Sequence, residues 1–218
     1  MKIAYVTIGN PYNKNSWSGT DYYCRKALED AGNDVYCIQV PHSQKYNGLL
    51  KKIYSKAIGR NYIHERSISF LKNRARYIEG KIQHDTDAIF CIGSIFAAYI
   101  KTNIPIYYYT DGVFSLSYQQ YAWCQSMPDF LINEQQKIEE EALRNCTKAF
   151  VSSECIKPEM ISKYHGDAKK IEIVPFGANI DVAPNANEVQ NSIHERSKAP
   201  DMKVLFVGVE WLRKGGGF

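Results

Sequence analysis

The order of the apolar segments is the feature that most constrains the fold of this chain. Residues 2–8 form a short apolar run, a loop and a helical pattern follow, and a second apolar run covers 34–40. A strand, a helix and a second strand in this order are typical of parallel strands joined by a right-handed crossover. Four more apolar runs alternate with helical segments, at 88–92, 104–110, 149–152 and 171–174. The sequence therefore predicts an α/β fold, with a Rossmann-like parallel sheet flanked by helices.

The patterns between the strands predict where the first helix is buried and where the domains are joined. The first helical pattern covers 19–31, and Ala27, Leu28 and Ala31 form its predicted buried stripe. Residues 181–201 are polar and carry three Asn and two Pro without an apolar period. Such a composition is typical of a connecting segment, so we predict an interdomain linker there.

The predicted linker separates two domains of unequal length. The first covers 1–180, and 202–218 begin a second domain with a strand pattern at 203–207. Parallel strands are covered by helices on both faces, whereas only ten residues follow Gly208. We therefore expect the second domain to be truncated in this chain.

The composition is that of a globular protein from a reducing compartment. Apolar residues make up 44% and charged residues 23% of the 218 positions. No apolar run approaches the ~20 residues that span a bilayer, and the chain begins without a signal-peptide pattern. The six cysteines form no C-x-x-C pair and lie mostly in apolar patterns, so we predict buried, reduced thiols and no metal site. A cytoplasmic location follows.

One segment carries the positive charge of the chain. Residues 45–81 contain ten Lys and Arg against two Glu, a net charge of +8, so the remainder carries −4 of the total of +4. This asymmetry argues against a general nucleic-acid binder and for one local anionic partner. An amphipathic basic helix there could lie on the anionic inner face of a membrane. Alternatively, its basic side is solvated and its apolar side packs on the sheet.

The loop after the first strand is a candidate ligand site. Parallel strands end at one edge of the sheet, where open α/β sheets bind ligands. Gly19 would let a ligand approach the backbone, and the helix that it opens could hold an anion. The loop is not G-x-G-x-x-G, so the usual NAD fingerprint is missing. An ordinary helix start is the alternative.

Three later loops follow strands in the same way. Asp111 could accept hydrogen bonds from a sugar hydroxyl or orient a reacting group, or it could simply form a turn with Gly112. Ser152 and Ser153 could cap the next helix or line a cleft. Asn179 ends a loop that either faces the cleft or forms a structural turn.

The last loop combines a strand with glycines and positive charge. Gly208 follows the strand pattern at 203–207, and Arg213 and Lys214 stand just before further glycines. A guanidinium, an ammonium and an open backbone suit the binding of a diphosphate.

Together and in this order, these segments resemble the family 4 (group 1) retaining glycosyltransferases, which have the GT-B fold. The resemblance covers nearly the whole chain. The matching segments are 16–20, 27–35, 110–112, 140–143, 151–153, 174–179, 206–208 and 213–216. The resemblance implies two Rossmann-like lobes, the first mostly holding the acceptor and the second mostly holding the nucleotide-sugar.

The resemblance also implies roles for particular residues. Gly19 matches the glycine of the loop that approaches the donor diphosphate. Arg213 and Lys214 match the basic residues that neutralise this diphosphate and so help it to leave. Asp111 falls where many members carry a cleft-facing histidine, and we assign it the catalytic polar role. The residues assigned to the acceptor side of the cleft are Ser18, Thr20, Thr110, Ser153 and Asn179.

The activity that the resemblance implies is sugar transfer with retention of the anomeric configuration. The donor is a nucleotide-sugar, which is a substrate rather than a cofactor, and the acceptor is a glycan or a lipid-linked sugar. Members of the family usually need no metal and serve polysaccharide biosynthesis. Their late Glu-x7-Glu element would lie beyond Phe218, and Val209 stands where many members have Arg. The chain alone is therefore expected to be inactive.

Two other functions remain open at this point. One is another GT-B enzyme, such as a sugar-nucleotide epimerase, which the nucleotide site of a second lobe would distinguish. The other is a non-enzymatic module that binds a glycan or a lipid-linked sugar. Acceptor binding without affinity for a nucleotide-sugar would favour the module.

Overall fold

The computed structural model describes residues 1–41, 53, 55–57, 59, 60, 62–198, 201, 204, 205 and 211. The chain divides into two compact units, Met1–Asn179 and Ile180–Phe218. The division falls one residue before the end of the predicted first domain. The functional assignment of 1–180, 181–201 and 202–218 stays a prediction.

The first unit is an α/β domain. Its strands are β1 Lys2–Thr7, β2 Asp34–Gln39, β3 Ala88–Ile92, β4 Ile106–Thr110, β5 Lys148–Val151 and β6 Ile171–Ile173. Its α-helices within the described residues are α1 Thr20–Asp30, α2 Ile68–Glu79, α3 Ser94–Ala97, α4 Phe114–Gln120, α5 Ala122–Gln125, α6 Asp129–Asn145 and α7 Ile156–Tyr164. Short 3₁₀ turns precede α1 and α2, at Ser16–Gly19 and His64–Arg66.

The six strands form one parallel sheet in the order β2-β1-β3-β4-β5-β6. In this register Ile3 lies between Val35 and Ala88, and Tyr109 pairs with Phe150. The predicted Rossmann-like parallel sheet flanked by helices is confirmed. All six strands end at the same edge, so the loops after them lie side by side.

One face of the sheet carries the main core. Alternate side chains of the strands point to this face, where α2, α3, α6 and α7 cover them. The buried strand residues include Val6, Ile89, Tyr108 and Val151. The opposite face is smaller and aromatic, with Tyr5, Ile92 and Tyr109 packed against half-buried Cys24 and Leu28 of α1.

The predicted buried stripe of α1 is right for Leu28, which is half-buried against the sheet, and wrong for Ala27 and Ala31, which are exposed. Asp21 and Arg25 are buried instead. The helix is rotated because its polar side chains hold the preceding loop, which the apolar pattern alone does not reveal.

The basic segment is described only in part. In α2, Leu71, Ala75 and Ile78 join the main core, while Lys72 and Arg76 are exposed. The guanidinium of buried Arg74 lies 4.6 Å from the centre of the Phe70 ring. This part therefore packs as the alternative interpretation expects, with its apolar side on the sheet. No helix among the described residues is long and apolar enough to cross a membrane.

The predicted burial of the cysteines is confirmed at three of the six positions. Cys91, Cys124 and Cys146 are buried, and Cys24 and Cys37 are half-buried. Burial raises the pKa of Cys124 and of Cys146 to about 11. Cys155 is exposed just before α7, contrary to the prediction.

The composition of residues 181–201 predicts an irregular linker, but part of the second unit is helical. It contains helix α8, Ala186–Ser197. Asn185 and Glu188 form a capping box, in which each side chain accepts a hydrogen bond of 2.9 Å from the backbone N–H of the other. This local signal was present in the sequence and outweighs the absence of an apolar period. Arg213, Lys214 and most of the predicted strand at 203–207 lie outside the described residues.

Candidate functional site

Three loops meet where the strands end. The Trp17 ring, after β1, lies 6.1 Å from the Phe176 ring, after β6, in an edge-to-face arrangement. Phe176 in turn lies 5.1 Å from Tyr109 at the end of β4, again edge to face. The Asn179 amide donates a hydrogen bond of 2.8 Å to the Ser18 carbonyl. We call residues 9–20, 109–113 and 174–179 the edge site.

The first loop of the edge site is held by a buried carboxylate. Asp21, in the first turn of α1, is only 2% exposed. Its two oxygens accept hydrogen bonds of 2.6 Å from the hydroxyls of Thr7 and Ser16. These hydroxyls accept hydrogen bonds of 3.1 Å from the backbone N–H groups of Gly9 and Asn10. Asp21 thus ties the beginning and the end of the loop to the helix.

Arg25, one turn further along α1, supports the middle of the same loop. Its Nε donates a hydrogen bond of 2.9 Å to the Pro11 carbonyl. Its guanidinium lies 4.7 Å from the centre of the Tyr12 ring and 5.4 Å from that of Tyr22, and it pairs with Glu29. Arg25 is buried, so these contacts are shielded from solvent.

The loop ends in three consecutive residues with left-handed backbone. The φ angles of Trp17, Ser18 and Gly19 are 44°, 55° and 88°. Such angles cost roughly 1–2 kcal/mol for a residue with a Cβ atom, and strain of this kind is concentrated at functional sites. The turn places Gly19 at the N-cap of α1, where the helix carries a positive partial charge.

The left-handed turn makes two substitutions informative. Ala at Gly19 would keep the unfavourable φ and place its Cβ 3.2 Å from the Lys14 carbonyl oxygen and the Tyr23 ring. We expect Gly19→Ala to lower the free energy of unfolding by about 1–2 kcal/mol. Ser18→Gly relieves about 1–2 kcal/mol of strain at the neighbouring position, against an entropic cost of roughly 0.5–1 kcal/mol, and is expected to raise the free energy of unfolding. Urea denaturation of the two variants checks the opposite signs, and two changes of the same sign would contradict the turn.

Asp111 directly follows β4, at a bend of the backbone. The Thr110 hydroxyl donates a hydrogen bond of 2.8 Å to the Gly112 carbonyl, so Thr110 holds the backbone here, and the role of the Asp111 side chain stays a prediction. The Asp111 side chain still reaches solvent. The protein around the strand end partly desolvates it and raises the pKa of its carboxyl group.

Tyr109 connects Asp111 with the loop after β6. The negative charge of Asp111 acts on the Tyr109 hydroxyl, so the two side chains lie near one another. The Tyr109 hydroxyl donates a hydrogen bond of 2.7 Å to the Val174 carbonyl. Burial, together with the negative charge of Asp111, raises the pKa of Tyr109 to about 12.

The first turn of α4, which follows Asp111, is held by hydrogen bonds to side chains of α6 and α7. The Phe114 N–H donates to Glu139 of α6 at 3.2 Å, and the Ser115 N–H donates to the Tyr164 hydroxyl of α7 at 2.7 Å. The Ser115 hydroxyl donates to Glu159 at 2.6 Å. These side chains replace an N-cap, since Val113 provides none.

The structure brings only some of the predicted residues together. Ser18, Gly19, Asp111 and Asn179 belong to the edge site, and the side chains of Ser18, Asp111 and Asn179 are exposed. Thr20 and Thr110 also belong to the edge site, but both are buried, as is Gly19.

Ser153 does not cap the next helix with its side chain. Its hydroxyl lies 3.0 Å from the Cys155 sulfur, and α7 has no side-chain N-cap. Arg213 and Lys214 lie outside the described residues, so their predicted contact with a diphosphate stays a prediction.

The sequence pattern does not identify the buried polar residues that hold the loops and the helix start of the edge site by hydrogen bonds. Asp21, Arg25 and Glu139 are polar residues in helices, where the pattern predicts a solvated face. The sequence pattern assigns Tyr109 to a strand and Phe176 to a loop, and it gives neither residue a role in a site. Within the described ranges, no group of three or more His, Cys, Asp and Glu side chains is placed to hold a metal ion.

Comparisons with known proteins give a distant structural likeness. No protein-family model and no curated protein matches the chain. Among solved structures, a sucrose-phosphate synthase from Thermosynechococcus elongatus is similar, with 12% sequence identity and a TM-score of 0.48. The match covers 90% of this chain and 98% of that one. A likeness this distant says nothing about what the present chain binds.

Proposed function

We propose that this chain is the acceptor-binding part of a retaining glycosyltransferase that uses a nucleotide-sugar donor. The observation that carries the proposal is the left-handed turn at Trp17–Ser18–Gly19, held against Asn179 where the strands end. The resemblance of the loop motifs to family 4 glycosyltransferases adds to it. The proposal covers transfer to a glycan or a lipid-linked acceptor.

Different residues of the edge site suit the donor diphosphate and the acceptor hydroxyl. The loop after β1 ends at the N-terminus of α1, where the positive end of the helix dipole attracts a diphosphate. Asp111 can accept a hydrogen bond from an acceptor hydroxyl and orient it, and Ser18 and Asn179 offer further polar contacts. Arg213 and Lys214 are proposed to neutralise the diphosphate as it leaves, in a metal-free reaction.

The basic segment is proposed to contact an anionic membrane from the cytoplasmic side. The support is its net charge of +8 over 45–81, together with exposed Lys72 and Arg76 on α2. A lipid-linked acceptor would be held at such a surface, since each Lys or Arg near it contributes about 1 kcal/mol. Equal sedimentation with neutral and anionic vesicles would contradict this contact.

Binding of simple glycosides to the chain tests the proposed function. The probes are the methyl glycosides of glucose, galactose, mannose and N-acetylglucosamine, followed by saturation-transfer NMR. We expect at least one to bind, and Asp111→Ala to weaken that binding about tenfold because a charged hydrogen-bond acceptor is lost.

The matched control is Asp30→Ala, at the far end of α1, which should leave glycoside affinity unchanged. Asp30 forms only an exposed ion pair with Lys26, which contributes little to stability. A chain that binds none of the glycosides would contradict the proposed function.

A further inference from the structure

Two large aromatic rings are exposed side by side in the edge site. Trp17 is 41% and Phe176 43% exposed, although rings of this size are usually mostly buried. Below them lies Tyr109, which is only 5% exposed. We call Trp17 and Phe176 the aromatic platform. Adjacent exposed rings at a ligand-binding edge indicate a contact surface rather than a core that is incompletely covered.

The aromatic platform is held in place before any ligand arrives. Ser16, directly before Trp17, is bonded to buried Asp21, and the carbonyl of Ser18, directly after it, is bonded to Asn179. Phe176 packs edge to face on Tyr109, whose hydroxyl is bonded to the backbone two residues before Phe176. Rings fixed in this way lose little entropy on binding, which favours affinity.

The chemistry around the platform selects one class of occupant. The face of an aromatic ring is electron-rich and attracts the polarised C–H groups on the apolar face of a pyranose. The exposed carboxylate of Asp111, whose charge acts on Tyr109, can accept hydrogen bonds from hydroxyl groups. An apolar face beside a ring of hydroxyl donors is the surface of a sugar. A quaternary ammonium prefers several rings around it, whereas this platform is open.

We infer that the Trp17 indole stacks on a pyranose ring of the acceptor, while Phe176, at a right angle to the indole, contacts the edge of that pyranose and Asp111 accepts a hydrogen bond from one of its hydroxyls. This inference rests on the proposed function and deepens it, since it names the chemical group that the acceptor side takes. It also assigns a purpose to the strained backbone of Trp17, which turns the indole toward Phe176.

The experiment follows the indole N–H signal of Trp17 in a ¹⁵N-labelled chain during titration with the same four methyl glycosides, to about 50 mM, where millimolar affinities are visible. We expect at least one glycoside to shift this signal. Trp17→Gly should weaken its binding about tenfold. Glycine accepts the left-handed backbone at this position, so the loop should persist. Trp17→Phe should restore most of the affinity, and Trp123→Phe, on α5, should change nothing.

The outcomes separate the inference from the proposed function. If a glycoside binds with the same affinity to the Trp17→Gly variant, the inference is wrong and the proposed function stands. If no glycoside binds anywhere on the chain, the proposed function fails and the inference fails with it. If adenosine or tetramethylammonium shifts the Trp17 signal at lower concentration than every glycoside, the platform takes another class of ligand and the inference is overturned.

Discussion

Replacing Gly9 with alanine is expected to lower the free energy of unfolding by about 3 kcal/mol, the upper range for overpacking a well-packed site. A Cβ at this position would lie 1.9 Å from Oδ2 of Asp21 and 2.4 Å from the Ser16 hydroxyl. Asp21 is buried and bonded on both oxygens, so it cannot move aside without losing those bonds. The φ angle of Gly9 is outside the left-handed region, so the effect is steric.

Urea denaturation measures the loss, and Gly112→Ala is the matched control. Gly112 also follows a strand in the edge site, but a Cβ there would have no atom within 4 Å. We expect that variant to stay within about 0.5 kcal/mol of the wild type. The Gly9→Ala and Asp21→Ala changes should also be less than additive, because the second removes the atoms that the first displaces. Equal stability of the two glycine variants would contradict the packing of the loop on Asp21.

The Glu139→Gln variant is expected to be more stable than the wild type at neutral pH. Burial raises the pKa of Glu139, although hydrogen bonds from Ser94 and the Phe114 N–H and the charge of Arg66 partly oppose this. Its Oε2 has no hydrogen-bond partner among the residues that the structure describes, so the charged form is poorly compensated. Gln keeps the acceptor for the Phe114 N–H and removes the charge.

The pH dependence gives this prediction its sign. The folded protein holds the Glu139 proton more tightly than the unfolded chain, where the pKa is about 4.3. The free energy of unfolding of the wild type should therefore fall as the pH rises from about 4.3 to the raised pKa of Glu139 in the folded protein. Above that pH it should stay level. The variant lacks this loss, so its advantage grows over the same window by about 1.4 kcal/mol for each pH unit that the window spans.

Urea denaturation at several pH values between about 4 and 8 checks the second prediction. Glu141→Gln is the control on the same helix, because that side chain is partly exposed and pairs with Arg144. It should follow the wild type in its pH dependence. Parallel stability curves for the wild type and Glu139→Gln would show that Glu139 has no raised pKa in the folded state.

Much of the fold could be predicted because each strand is a local apolar run. The runs at 2–8, 34–40 and 88–92 correspond to β1, β2 and β3 within two residues at each end. The helical pattern at 19–31 likewise corresponds to α1, Thr20–Asp30, within one residue at each end. Errors arose where polar residues decide the structure. Asp21 and Arg25 face inward on α1, and a capping box begins α8 in a segment with no apolar period.

The edge site was predictable in its location but not in its construction. Parallel strands place their following loops at one edge, which is why Ser18, Asp111 and Asn179 could be named in advance as members of one site. The contact between Ser18 and Asn179 joins residues 161 positions apart. The edge-to-face packing of Trp17, Phe176 and Tyr109 likewise joins three distant segments.

By itself, then, the sequence determined that the chain forms a parallel α/β sheet and at which edge its loops gather. Those properties follow from local apolar runs and from the single direction of a crossover. Only the tertiary structure decided that Gly9 must lack a side chain, that Asp21 holds the first loop, and that Trp17 and Phe176 stand exposed together. These features depend on distances between residues far apart in the chain, which become definite only once the core is packed.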